Sequence, residues 1–247
     1  MNFIKRNFIS VWLVFILVLF WWIVPPYVNA KDTCIDCHKN IKLEVQNKKL
    51  IDYYRDWENS THDLAGIICI DCHGGNPTKT DKEAAHSGEF TSFLANSKES
   101  FKVLDRCGKC HKVVLKNFVE SKHYKEIHEK DSGPNCVTCH GSMNTGVYEA
   151  HNVGKGCEVC HNEETKNIPE IGQVAEKVLH NINILRVYLE WLSNHSIFNE
   201  KHRKSLITQY QDIVKSWHTF NFKQIESKTE KPLNDARRFT KEELSES

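Results

Sequence analysis

The feature that most constrains this chain is a Cys-x-x-Cys-His motif that recurs five times and uses all ten cysteines. The copies are Cys34/Cys37/His38, Cys69/Cys72/His73, Cys107/Cys110/His111, Cys136/Cys139/His140 and Cys157/Cys160/His161. Two cysteines one turn apart can reach both vinyl groups of a haem, and the histidine that follows then lies beneath the iron. We therefore predict five covalently bound haem c groups, each with its motif histidine as proximal ligand.

Two other interpretations of paired cysteines fit less well. Zinc ribbons use Cys-x-x-Cys pairs in sets of four cysteines, and five pairs leave one pair over. A disulfide scaffold suits an exported chain, but it does not explain the histidine after every pair. Haem attachment accounts for both the spacing and the histidine.

A haem iron has a second axial position, and the sequence limits what can fill it. Met143 is the only methionine after Met1, whereas nine histidines lie outside the motifs. Methionine ligation raises the reduction potential of a haem. With at most one methionine to use, most of the predicted haems should have two histidine ligands, a low-spin iron and a low potential.

Position in the chain ranks the candidate distal histidines. His62, His123 and His151 each precede a motif by a short segment, and His86 follows the second motif. His180 and His218 lie on apolar helical stripes, where a histidine can equally pack inside a helix bundle. The predicted distal set is His62, His86, His123, His151 and His180.

The N-terminus has the pattern of an export segment. Lys5 and Arg6 precede an apolar run over residues 8–24, and a small residue, Ala30, follows two prolines. This order is typical of a secretory signal cleaved after Ala30. An uncleaved segment would instead anchor the chain in the cytoplasmic membrane. Both alternatives place the remainder in the periplasm or another extracytoplasmic space.

The rest of the chain divides into two predicted regions. Residues 31–167 carry the motifs and predict a pentahaem domain with short helices, extensive loops and almost no sheet, in which the porphyrins supply the core. Residues 168–247 predict a helical hairpin or three-helix segment. Its helices are expected over 170–191 and 199–217, with a third from Asn221 that Pro232 interrupts or restarts. The predicted fold class is mainly α.

Segments around the second and fourth motifs resemble the periplasmic multihaem cytochromes, including those with a doubled Cys-x-x-Cys-His pattern and cytochrome c-554. The resemblance rests on residues 57–62 leading to 69–77, and on residues 121–123 followed by 136–141. In those families the histidine of a Ser-x-His stretch ligates a neighbouring haem, which implies that role for His62 and His123.

A more distant resemblance is to the membrane-anchored quinol dehydrogenases of the NapC/NirT type, which have an N-terminal helix followed by four haems. Those proteins carry a methionine two residues after the first motif histidine, where this chain has Asn40. A fifth motif and the C-terminal helical segment are also additional here.

These patterns favour an electron carrier over an enzyme. The formal net charge of +1 gives no indication of a nucleic-acid partner. Redox proteins, including a membrane quinol-oxidising complex, are the expected partners, and the membrane is a further one if the N-terminus is uncleaved. The alternative function is a multihaem oxidoreductase that acts on a small nitrogen or sulfur compound at one open haem iron.

Overall fold

The computed structural model describes residues 32–40, 42, 47–91, 100–130, 132–195 and 199–246. The predicted signal or anchor over residues 1–30 lies outside this part of the chain. Among the described helices, none has both the length and the apolar character needed to cross a bilayer. The predicted fold class is confirmed, because the described residues form helices joined by loops and include no strand.

Short helices carry the motifs and the segments between them. Their bounds are α1 Thr33–His38, α2 Lys48–Glu58, α3 Thr61–Leu64, α4 Cys69–His73, α5 Lys82–Ala85, α6 Ser100–Gly108, α7 Lys112–Val119, α8 Lys122–Lys130, α9 Cys136–His140 and α10 Val153–Glu158. The C-terminal part has longer helices, α11 Ile171–Ser193, α12 Glu200–Ser216 and α13 Phe222–Glu246, with a 3-10 turn at Trp217–Thr219.

The three long helices pack around an apolar core. α11 buries one stripe at helical spacing, formed by Ala175, Val178, Ile182, Leu185, Leu189 and Leu192. Leu206 and Ile213 of α12 and Ile225, Leu233 and Ala236 of α13 complete the core. Asn199 caps the start of α12, because its side-chain oxygen accepts hydrogen bonds from the backbone N–H groups of Lys201 and His202.

Pro232 does not interrupt the last helix, and the prediction that it would was wrong. α13 runs through Pro232 from Phe222 to Glu246. A proline removes one helical hydrogen bond, but Pro232 is fully buried in the bundle. Packing of the ring therefore offsets the lost bond, and the helix continues.

The bundle also packs directly on the fifth motif. Gly154 of α10 and Gly172 of α11 lie back to back, and a Cβ added to Gly172 would come 3.2 Å from the carbonyl oxygen of Gly154. Val153 is part of the bundle core, and Cys157 packs against it. The apolar core therefore extends across the predicted boundary at residue 168.

A second, smaller cluster lies among the motifs. Leu104, Phe118 and Ile127 are buried together. Cys136 of the fourth motif and Phe220 of the C-terminal segment both pack against them. This cluster holds α6, α7 and α8 together and places the third and fourth motifs side by side.

Leu185→Ala tests the bundle core. Leu185 is fully buried at the centre of α11, so we expect the variant to lose about 2–5 kcal/mol in the free energy of unfolding. Val187→Ala is the matched control on the same helix, because Val187 is 56% exposed, and its loss should stay near 0.5 kcal/mol. Chemical denaturation followed by circular dichroism measures both, and equal losses would contradict the packing.

Candidate functional site

Local hydrogen bonds at the helix ends hold the motifs in place. The Asp32 carboxylate accepts from the backbone N–H of Cys34 at 2.9 Å, and the Asn135 side chain accepts from Val137 and Thr138. Gly74 follows the second motif with φ +70°, and a Cβ there would lie 2.6 Å from the carbonyl oxygen of Glu89. These three motifs therefore start at a capped helix end or stop at a tight turn, which fixes where their sulfurs and imidazoles lie.

Backbone carbonyls fix the orientation of several imidazoles. The Nδ1 atoms of His73, His140 and His161 lie 3.0, 2.8 and 2.6 Å from the carbonyl oxygens of Thr91, Gly146 and Asn167. An imidazole that donates from Nδ1 presents an unprotonated Nε2, the tautomer that ligates a metal. These motif histidines are therefore held as metal ligands usually are.

Four motif histidines each face a second histidine from another part of the chain. Their ring centroids lie 6.0–6.2 Å apart, and their planes are inclined by 33–58°. The pairs are His38 with His86, His111 with His62, His161 with His123, and His140 with His218.

This separation fits an iron between the two rings. A metal–imidazole bond of about 2 Å on each side, with each ring centre about 1 Å behind its nitrogen, separates two axial rings by roughly 6 Å. Within the described residues, no cluster of three or more His, Cys, Asp or Glu side chains could hold a metal ion. A haem iron needs only two ligands from the protein, because the macrocycle supplies the other four. The residues present therefore fit haem.

In each pair, burial favours the neutral form of one histidine, and these are His38, His62, His123 and His218. Burial, and then the neighbouring His86, lower the pKa of His38, and burial with His161 does the same for the pKa of His123. Burial together with His140 lowers the pKa of His218 to about 4. A neutral imidazole can donate its lone pair to a metal, whereas a protonated one cannot.

Seven of the ten cysteines are half-buried, and several of them lie near one another. Burial raises the pKa of Cys34 to about 12 and that of Cys69 to about 11. A hydrogen bond between the thiols of Cys107 and Cys136 raises the pKa of the first and lowers that of the second. Since these last two sulfurs belong to different motifs, the third and fourth motifs are in contact.

The other three cysteines are exposed. They are Cys37, Cys110 and Cys160, the second cysteines of the first, third and fifth motifs. The cause is local, because α6 ends at Gly108 and α10 at Glu158, so that Cys110 and Cys160 lie in the turns that follow, and Cys37 lies in the last turn of α1. Haem attachment through all ten cysteines stays a prediction.

The chain is similar to two curated relatives, both named C-type polyheme cytochrome OmcB, from Geobacter sulfurreducens strains DL-1 / KN400 and ATCC 51573 / DSM 12127 / PCA. Each is 32% identical to it over 114 residues, which cover 43% of this chain and 13% of the relative. The similarity supports a multihaem c-type cytochrome. This chain spans only a small part of those relatives. No family model and no solved structure matches it.

The structure places three of the predicted distal histidines opposite motif histidines. They are His62, His86 and His123. It does not bring His151 or His180 to a motif histidine in any described contact. His151 lies 3.3 Å from the Glu149 carboxylate, and His180 is exposed on α11. The ligand roles of all five predicted distal histidines stay predictions.

His73 has a different neighbour from the other motif histidines. Its ring is stacked at 26° to the ring of Phe90, with centroids 6.4 Å apart. Phe90 also meets the ring of His86 edge-on at 4.6 Å. Phe90 therefore lies between the ligand sets of the first two motifs.

His218 is the ligand candidate that the predicted set missed. It lies in the 3-10 turn between α12 and α13, followed by Phe220 in a left-handed conformation with φ 52°. Phe220 contacts His123 at 4.7 Å and Phe118 at 6.3 Å between ring centroids. One turn of the C-terminal bundle thus reaches the ligand pairs of both the fourth and the fifth motif. The available signal was the helix break at 217–221.

Thr33→Val tests the contact that holds the first motif. The Thr33 hydroxyl donates to the carbonyl oxygens of Pro77 and Lys79 at 2.8 and 2.6 Å. Valine keeps the shape but removes the hydroxyl donor from both acceptors, so we expect a loss of about 1–3 kcal/mol in the free energy of unfolding. Denaturant titration of the haem-loaded protein measures it.

Thr78→Val is the matched control, because Thr78 lies between Pro77 and Lys79, the two residues that the Thr33 hydroxyl contacts. The Thr78 hydroxyl is exposed and donates only to the Asn76 side chain, so its loss should stay within about 0.5 kcal/mol. A Thr33 variant as stable as this control would contradict the contact.

Proposed function

We propose that this protein is a pentahaem c-type cytochrome that transfers electrons in an extracytoplasmic respiratory chain. The observation that carries the proposal is the set of four histidine pairs, each with one motif histidine and one histidine from elsewhere, at the separation of two axial ligands. The five cysteine pairs and the similarity to polyhaem cytochromes support it.

Bound at these positions, haem supplies a one-electron redox centre. The cysteines hold it by two thioether bonds, and the motif histidine ligates the iron from one side. The partner histidines, His86, His62, His218 and His123, ligate it from the other side. Two strong ligands leave no open coordination position at those sites, which favours electron exchange over binding of a small substrate.

The chain's own groups set the potential of each site. The Nδ1–H of His161 and that of His140 donate to backbone carbonyls, and such bonds make an imidazole a stronger donor to iron. Histidine rather than methionine on both sides keeps the potential low. We propose redox proteins as partners, including a membrane quinol-oxidising complex, and a periplasmic or other extracytoplasmic location.

Intact-mass analysis tests haem attachment. Protein matured in a host with the attachment machinery should carry five added haem masses, and Cys107→Ala with Cys110→Ala should carry four. An unmodified polypeptide mass, or zinc in place of iron, would end the proposal.

His218→Ala tests the distal ligand donated by the bundle. Loss of one axial ligand should convert about one fifth of the iron from low-spin to high-spin ferric haem, visible by electron paramagnetic resonance (EPR). His180→Ala is the control, because His180 is exposed on the same bundle, and it should leave the EPR spectrum of the unaltered protein unchanged. The reverse result would assign the ligand to His180.

His123→Ala repeats this test at the fifth motif. Its control is His128→Ala on the same helix, because the His128 ring contacts Phe101 and Tyr124 rather than a motif histidine. We expect a high-spin signal only from the first variant. Identical spectra for the two variants would remove His123 from the ligand set.

A further inference from the structure

The contacts between motifs follow the order of the sequence. Thr33 in α1 donates from its backbone N–H and its hydroxyl to the carbonyl oxygen of Pro77, just after the second motif. His86, which also follows the second motif, faces His38 of the first. The first motif is therefore fastened to the segment that carries the second.

The second and third motifs are joined in the same way. His62 lies on the approach to the second motif and faces His111 of the third. The Trp57 indole donates to the carbonyl oxygen of Ile67 at 3.1 Å and braces that approach.

The third and fourth motifs share the smaller apolar cluster. Cys107 lies at the end of α6, and Cys136 begins α9. The Asn135 amide, which precedes the fourth motif, donates to the Ser100 hydroxyl at the start of α6 at 3.3 Å. Cys136 also packs on the cluster that contains Leu104 of α6.

The fourth and fifth motifs are bridged by the turn at 217–220. His218 faces His140 of the fourth motif, and Phe220 packs on His123, which faces His161 of the fifth. Each of these four junctions thus joins motifs that are consecutive in the sequence.

We infer that the five motifs form one unbranched series in sequence order, with the first and fifth motifs at its ends and the third at its centre. The inference rests on the proposed haem binding. It assigns electron entry and exit to the two terminal motifs, and it makes the third motif a position that every transferred electron must pass.

Single histidine-to-methionine variants test the order on haem-loaded full-length protein. Replacing a distal histidine by methionine raises the reduction potential of that haem. A solution potential set between this value and those of the other haems reduces the marked haem alone. Its low-spin ferrous iron is diamagnetic, so its magnetic coupling to the neighbouring haems is lost. His86→Met marks the first haem, His62→Met the third and His123→Met the fifth. EPR then counts the other haem signals that change.

We expect one other haem signal to change when the first or the fifth haem carries the methionine. Two should change when the third haem carries it. His128→Met, on the same helix as His123, should change none. Two or more changed signals from a terminal mark, or one from the central mark, would overturn the order.

A measurement on the unaltered protein gives a second test that no folding defect can obscure. Nuclear Overhauser contacts between haem protons in the fully reduced protein should connect consecutive motifs, and contacts between the first and third or the second and fourth would overturn the order. Protein that carries five haems but shows contacts between non-consecutive motifs refutes the order alone. Protein whose intact mass lacks five haems refutes the proposed function itself.

Discussion

The interaction on which the rest depends is the pairing of motif histidines with histidines from other parts of the chain. His38 meets His86, and His140 meets a residue beyond two bundle helices, His218. Around these pairs the helices are short and bury few apolar side chains of their own. Metal ligation in such a region is also folding energy, so bound haem would do for the motif region what an apolar core does for an ordinary domain.

The C-terminal bundle differs from the motif region, because an apolar core of side chains stabilises it. Its helices bury a continuous leucine- and isoleucine-rich stripe, and Val153 of α10 adds to the same core. The bundle and the fifth motif are therefore joined by one apolar core. Through Gly172 it packs closely against the fifth motif, and through the 217–220 turn it reaches the fourth. In the proposed series of haems, the bundle would support one end and contribute His218 as a ligand.

Much of this arrangement could be predicted from the sequence, because the strongest signals are local. A Cys-x-x-Cys-His motif specifies its proximal ligand by spacing alone, and His62, His86 and His123 lie close in sequence to a motif. His218 was not chosen over His180, since both lie on apolar helical stripes. The helix break at residues 217–221 was the local difference between them, but only tertiary packing brings that break to a motif histidine. The prediction of a helix break at Pro232 was wrong for a similar reason. Helix propensity takes no account of tertiary burial, and Pro232 is buried within the continuous helix α13.

The central claim is that paired histidines hold the irons of this protein, and near-infrared magnetic circular dichroism of the fully oxidised holoprotein tests it most directly. That spectrum distinguishes the axial ligand pairs of low-spin ferric haem and measures the amount of each. We predict bis-histidine intensity equivalent to at least four haems. Intensity equivalent to three or fewer, with the remainder in methionine-ligated or high-spin haem, would contradict the claim.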